Sequence, residues 1–387
     1  MSYTRREFGK LALAGVPAAA LLGRSESVFG ALAQAKPNSV FGGVQIGTIT
    51  YSYRSMTDQS AEAILKYVVD SGISGIELMG GPVESFAGAP AAPGRAGGSG
   101  GGGRGPGGRG PAGAAAPNAP PPPAASGAAT ASWNGQACAP GRAGGAPGGG
   151  APAAARGGGR GEITPEQQEQ AARLKAWRTS VSMDAFKKLR KMYNDAGVTI
   201  YAWKQLNANM SDEEFEYIFN VAEALGCTHT TLELLTDPAQ LKRVGDFAMK
   251  KKVYAAYHTH LQGSMTAFDQ AFAASKGNMA NVDFGHFVAA GNVGGTPMQF
   301  LQKFHDRTAS FHLKDRTTPE HCSLNLPWGT GETPIKEILQ MVSRNKWTMP
   351  ASIELEYDVP ETSDAVKEVR KCVDYCQAAL ASASSGR

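Results

Sequence analysis

Eight times along this chain a short apolar run of strand character is followed by a stretch with helical spacing. The strand candidates are residues 44–51, 75–79, 198–203, 228–234, 253–258, 280–284, 309–313 and 351–356. The helical candidates are 61–71, 174–196, 211–225, 238–250, a stretch through Phe268 and Phe272, 297–305, 334–343 and 361–380. Within 61–71, Ile64, Leu65 and Val68 fall on one face. Ser211 with Glu214 forms a capping box, the two side chains satisfying free amides reciprocally. Such alternation predicts a parallel sheet with helical crossovers. Eight units predict a closed (β/α)8 TIM barrel. An open doubly wound sheet is the alternative, and no Gly-x-Gly-x-x-Gly follows the first strand to favour it.

Two segments fall outside that pattern. Residues 1–35 carry Arg5-Arg6 ahead of an apolar run from Leu11 to Leu22, with small residues at Ala31 and Ala33. This reads as a twin-arginine signal peptide, handled by the twin-arginine translocase and placing the protein in the periplasm. An uncleaved signal anchoring the chain to the membrane is the alternative. Residues 87–161 are almost wholly Gly, Ala, Pro, Ser and Arg, a composition too poor in apolar side chains to offset the entropy of ordering. They are expected to be a disordered insertion after the second strand. Long surface insertions cost little free energy. The barrel is then a single domain made of 40–86 and 162–382.

The formal charge of +4 is unevenly spread. The insertion holds six arginines and no acid, and without it the balance is −2. Removing Arg5, Arg6, Lys10 and Arg24 with Glu7 and Glu26 brings it to −4. A body of that sign is a poor partner for phosphate backbones, which argues against a nucleic-acid binder. The five cysteines form no CxxC pair or regular framework, and Cys372 and Cys376 share a helix face. They are expected to be small buried or incidental thiols.

Polar residues collect where the strand candidates end, and in a closed barrel that rim carries the active site. Glu233 ends the fourth strand. His258 and His260 end the fifth, Asp283 and His286 the sixth, and His312 the seventh, with Lys314 and Asp315 behind it. Glu354 and Glu356 lie in the eighth, two apart and so on one side of the sheet. A ring of imidazoles and carboxylates without thiolate suits one divalent metal ion. Mn, Co or Zn match the mixed N and O set best, with Mg and Fe as further candidates. Taken singly each residue has a plainer role: a strand-end histidine, a turn cap at Asp283, a Glu354–Lys314 pair. Consecutive placement on successive strands is what favours ligation. Trp203 and Trp328 are candidates for stacking on a sugar face, or for core and rim packing.

These motifs bring a resemblance. Tyr257-His258-Thr259-His260, Asp283-Phe284-Gly285-His286, His312-Leu313-Lys314-Asp315, Trp328-Gly329-Thr330-Gly331 and Ile353-Glu354-Leu355-Glu356 resemble the sugar phosphate isomerase/epimerase branch of the xylose isomerase-like barrel superfamily. The likeness runs from Val44 to Leu380 apart from the insertion. It implies one divalent ion held by Asp283, His312 and Glu354, with His286 contacting substrate. Lys314 is a candidate for orienting a sugar hydroxyl or for pairing with Asp315 or Glu356. The strand-five glutamate of that family is missing. His258 or His260 stands in its place, or Glu233 supplies the carboxylate from one strand earlier. The departure sets a two-glutamate mechanism aside and leaves His258 or His260 as a base, beside Glu354.

The chemistry implied is proton abstraction next to a carbonyl through an enediolate, on a free or keto sugar. That makes an isomerase or epimerase the leading expectation. A lyase of 3-keto-glycosides by β-elimination shares the first step. A metal-dependent nuclease would need a basic face. A non-catalytic sugar-binding barrel and a homo-oligomeric assembly are both compatible with the chain.

Overall fold

The computed structural model describes residues 36–91, 132–138 and 164–384. The expected signal peptide and most of the expected insertion lie outside these residues. Eight strands pair in chain order, all parallel, and the last pairs with the first. They are β1 Val44–Ile49, β2 Gly75–Met79, β3 Thr199–Lys204, β4 His229–Glu233, β5 Tyr254–His258, β6 Asn278–Asp283, β7 Thr308–Leu313 and β8 Ala351–Ile353. The fold is a (β/α)8 TIM barrel, as the alternation predicts. A two-residue strand, Val40–Phe41, adds antiparallel to β1.

The outer ring comprises α1 Ala61–Asp70, α2 Asp184–Asp195, α3 Asp212–Leu225, α4 Pro238–Lys251, α5 Asp269–Ala274, α6 Pro297–Phe304, α7 Ile335–Asn345 and α8 Ala365–Ser384. Local chemistry sets several of their ends. Ser211 and Glu214 close the expected capping box on α3, and Gly226 ends that helix in the left-handed region. Thr296 and Gln299 form a second box on α6. The apolar faces meet the sheet in one core, which includes a cluster of contacting rings at Phe268, Phe284, Phe287, Phe300 and Phe311. Each such buried side chain contributes roughly 1.5–3 kcal/mol.

Three expectations need correction. The single helix expected over 174–196 is two, Pro165–Arg178 and α2, separated by 179–183. Thr179 and Ser180 turn their hydroxyls back onto the carbonyls of Lys175, Ala176 and Trp177, competing with continuation of the helix. Within the insertion, 132–138 forms a small hairpin, Ser132–Trp133 against Gln136–Ala137. Asn134 and Gly135 both have positive φ at its turn, as a two-residue hairpin loop requires. Two of the cysteines are also not incidental thiols. Cys138 forms a disulfide with Cys322 across 184 residues, with Cα atoms 5.3 Å apart. The bond fastens the hairpin to the loop after β7, where Trp133 packs on His321. Cys227, Cys372 and Cys376 are buried free thiols.

The barrel interior is polar. Tyr201 reaches across it to donate to Ser352 Oγ at 2.9 Å. Gly47 makes room, since a Cβ there would lie 2.6 Å from the Tyr201 ring. His229, Ser310 and Asn281 continue as a hydrogen-bonded chain toward the C-terminal end of the strands. Among the described residues no helix is long and apolar enough to cross a membrane.

Candidate metal and active site

Strand ends deliver the cluster. His258 closes β5, Asp283 closes β6, His312 is the penultimate residue of β7, and Glu354 follows β8 directly. All four are buried, and each offers a ligand atom within 4.8 Å of the others'. Neither ring nitrogen of His258 has a hydrogen-bond partner among the described residues. A buried imidazole left this way costs free energy that a bound cation would recover. Burial pushes the His258 pKa well down, with Lys204 and His312 adding to it, so the ring stays neutral as a ligand must.

Asp283 is oriented from two sides. Its Oδ1 accepts the His286 amide at 2.7 Å, capping the short helix Phe284–Ala289. Its Oδ2 meets Lys314 Nζ at 3.0 Å. The same ammonium lies 2.9 Å from Glu354 and 2.8 Å from Glu356. Lys314 therefore gathers three carboxylates, and Asp315 is not its partner. Gly285 lets it do so, because a Cβ there would lie 2.2 Å from the lysine stem. Asp315 instead accepts the amides of Gly329, Gly331 and Thr333, and so ties down the Trp328–Gly331 turn.

His312 is held between two carboxylates. Nδ1 lies 2.8 Å from Glu354 and Nε2 lies 2.8 Å from Glu77. Burial opposes its charge, but Glu77 and then Glu354 raise its pKa to about 10. Glu354 is held well below the usual carboxylate range: burial works against ionisation, and Lys314 and His312 override it. Glu77 is fully buried on β2, also accepts from Thr231 at 2.5 Å, and did not stand out in the sequence. The signal was present, since a lone carboxylate in the apolar run Ile76-Glu77-Leu78 needs a partner inside.

His286 stands behind Asp283. Arg316 donates to its Nδ1 at 2.6 Å, which places the imidazole proton on Nε2. Burial, reinforced by Lys314 and Arg316, keeps the ring neutral. Nε2 faces Glu356 at 3.9 Å.

The other expected residues sit further out. His260 is half-exposed, its Nδ1 3.7 Å from Glu233. Glu233 pairs with Lys204 at 2.7 Å. Glu233, His258 and His260 form a second group that shares His258 with the first. The buried quartet thus takes its strand-five member from His258, with His260 and Glu233 toward the mouth. Trp203 does not reach the site. The β2–β3 register slips between Ile76 and Glu77, and the irregularity sets Trp203 beside Leu78. It lies fully buried against Tyr217 of α3, where no ligand can stack on it. Trp328 is half-buried and packs edge-on to Tyr375 of α8.

Two imidazoles and two carboxylates fit a divalent cation of the Mn, Co or Zn type. Lys314 already shows that the pocket accepts positive charge, its ammonium standing where Asp283 and Glu354 converge.

Fold and site together define a closed parallel barrel with a buried His/Asp/Glu cluster at the carboxyl ends of its strands. The chain belongs to the xylose isomerase-like TIM barrel family, whose model matches residues 173–376. No curated protein matches it. Among solved structures, it is similar to a sugar phosphate isomerase/epimerase from Parabacteroides distasonis, with 14% identity over 92% of this chain and 98% of that one and a TM-score of 0.49. The probable 3-DHS dehydratase AsbF of Bacillus anthracis shows 12% identity over 84% and 97%, with a TM-score of 0.49. D-psicose 3-epimerase of Clostridium cellulolyticum shows 10% identity over 53% and 87%, with a TM-score of 0.40.

Proposed function

We propose that this protein is a divalent-metal-dependent isomerase or epimerase of a free or keto sugar, acting in the periplasm by proton abstraction next to a carbonyl. The buried quartet of His258, Asp283, His312 and Glu354 carries the proposal. These four would hold the ion. Bound there, it would polarise a sugar carbonyl and make the neighbouring C–H more acidic.

The chain's own residues supply the proton traffic. His286, its tautomer set by Arg316, presents Nε2–H to a substrate oxygen. His260 turns Nδ1 toward Glu233 and keeps Nε2 for a proton taken from carbon. Glu354, kept ionised by Lys314 and His312, is a second acceptor. Return of the proton to the adjacent carbon isomerises; return to the opposite face of the same carbon epimerises. On a 3-keto-glycoside the same first step ends in β-elimination when His286 Nε2–H donates to the leaving oxygen. Support for export comes from the Arg5-Arg6 leader and from the Cys138–Cys322 disulfide, a bond that persists in oxidising compartments.

Asp283→Ala and His312→Ala should each abolish metal content and turnover together on a panel of keto sugars and 3-keto-glycosides. Full turnover by metal-stripped protein contradicts the proposal. Released aglycone selects elimination over isomerisation.

A further inference from the structure

Glu77 belongs to none of the expected site residues, yet it is a fully buried carboxylate inside the barrel. It projects from β2, on the far side of His312 from Glu354, and no part of it reaches solvent. Its contacts are specific. Oε1 accepts the Thr231 hydroxyl at 2.5 Å; Oε2 lies 2.8 Å from His312 Nε2 and 3.4 Å from Asn281 Nδ2. A carboxylate buried in an apolar strand is costly unless it is paired. Replacement by an apolar residue with apolar partners would be cheaper, so its placement calls for a role that leucine cannot fill.

We propose that Glu77 is a positioning residue of the metal site. By accepting Nε2–H of His312 it fixes the ring rotation and holds a proton on that nitrogen, so that Nδ1, now hydrogen-bonded to Glu354 at 2.8 Å, is the nitrogen that gives up its proton to serve as a ligand. An imidazole that donates one N–H to a carboxylate is a better and better-aimed ligand through the other nitrogen. Thr231 and Asn281 in turn hold the carboxylate, so the constraint runs from β4 and β6 through β2 to β7. The inference rests on the quartet being a cation site.

The test is zinc and manganese binding to the full-length oxidised protein by competitive chelator titration. Wild type is compared with Glu77→Gln, Glu77→Leu and Asp283→Asn, with ¹⁵N–¹H imidazole spectra of the zinc-loaded forms. Glu77→Gln should bind about 10-fold more weakly and Glu77→Leu about 100-fold. The His312 Nε2–H signal, sharp and downfield in wild type, should be lost in Glu77→Leu. Thermal melts in chelator establish that each variant is folded, and if Glu77→Leu does not fold, Glu77→Gln decides. Wild-type affinity and an unchanged His312 signal in a folded variant overturn the positioning role alone. Absence of metal binding in wild type overturns the cation site and the inference with it.

Discussion

Lys314→Met removes the single ammonium that touches Asp283, Glu354 and Glu356 at 2.8–3.0 Å. Three carboxylates then face one another in a buried pocket. Deleting one partner of a buried ion pair costs about 3–5 kcal/mol, and three acceptors sharing one donor point to the upper part of that range. In a domain of this size a loss of that order lowers the melting midpoint by about 10–15 °C. The pH dependence follows from the shifts. Glu354 is depressed, so its contribution is present above the unfolded value near 4.3 and fades as pH falls through its folded value. Lys314 is raised, with burial opposing and Asp283 and Glu354 prevailing, so its contribution is present below about 10.4 and fades only at higher pH. The gap between wild type and variant should therefore be flat from about pH 5 to 10 and close on the acid side. Added Mn2+ should recover part of it, about 2.7 kcal/mol at 100 times the Kd. The assay is urea unfolding in chelator, repeated across pH and with metal. Equal midpoints at pH 7 in chelator would refute the role of Lys314 as the pocket's internal counter-ion.

Three further outcomes are expected. His229, bonded to Thr228 and Ser310, has its pKa pushed to about 4 by burial against the pull of Glu77. The unfolded chain binds the extra proton between pH 6.5 and 4, so about 3 kcal/mol of stability is lost over that window, and His229→Asn should flatten the urea midpoints there. Cys322→Ser opens the 184-residue link to Cys138 and should cost about 2–4 kcal/mol, with a chain-entropy ceiling of about 5, read from melts with and without reductant. Alkylation of both thiols in unreduced wild type would contradict the bond. His286→Gln should keep its metal while kcat/KM falls about 100-fold or more, and a matched loss of metal would place His286 among the ligands instead.

The barrel was legible because each strand–helix unit carries its own signals: apolar runs, the Ser211–Glu214 box, prolines opening α4 and α6. Asp283, His312 and Glu354 were legible because a parallel barrel puts strand ends on one rim. His258 and His260 could not be separated from spacing alone. They differ in depth, the first closing β5 and the second lying two residues into the loop. Trp203 was hidden by the β2–β3 register slip, which no side-chain pattern announces, whereas Glu77 was readable as a lone carboxylate inside an apolar strand. The Cys138–Cys322 bond was hidden for another reason: its halves lie in a low-complexity segment and a distant loop, with no spacing to connect them.

The central claim is cation-assisted proton abstraction at the His258–Asp283–His312–Glu354 cluster. Its most direct test is incorporation of solvent deuterium next to the carbonyl of a keto sugar, followed by mass spectrometry with metal-loaded and chelator-treated enzyme. Exchange is predicted with metal, none after chelation, and recovery on reloading. Turnover without any deuterium uptake, or uptake undiminished by chelation, would contradict the account.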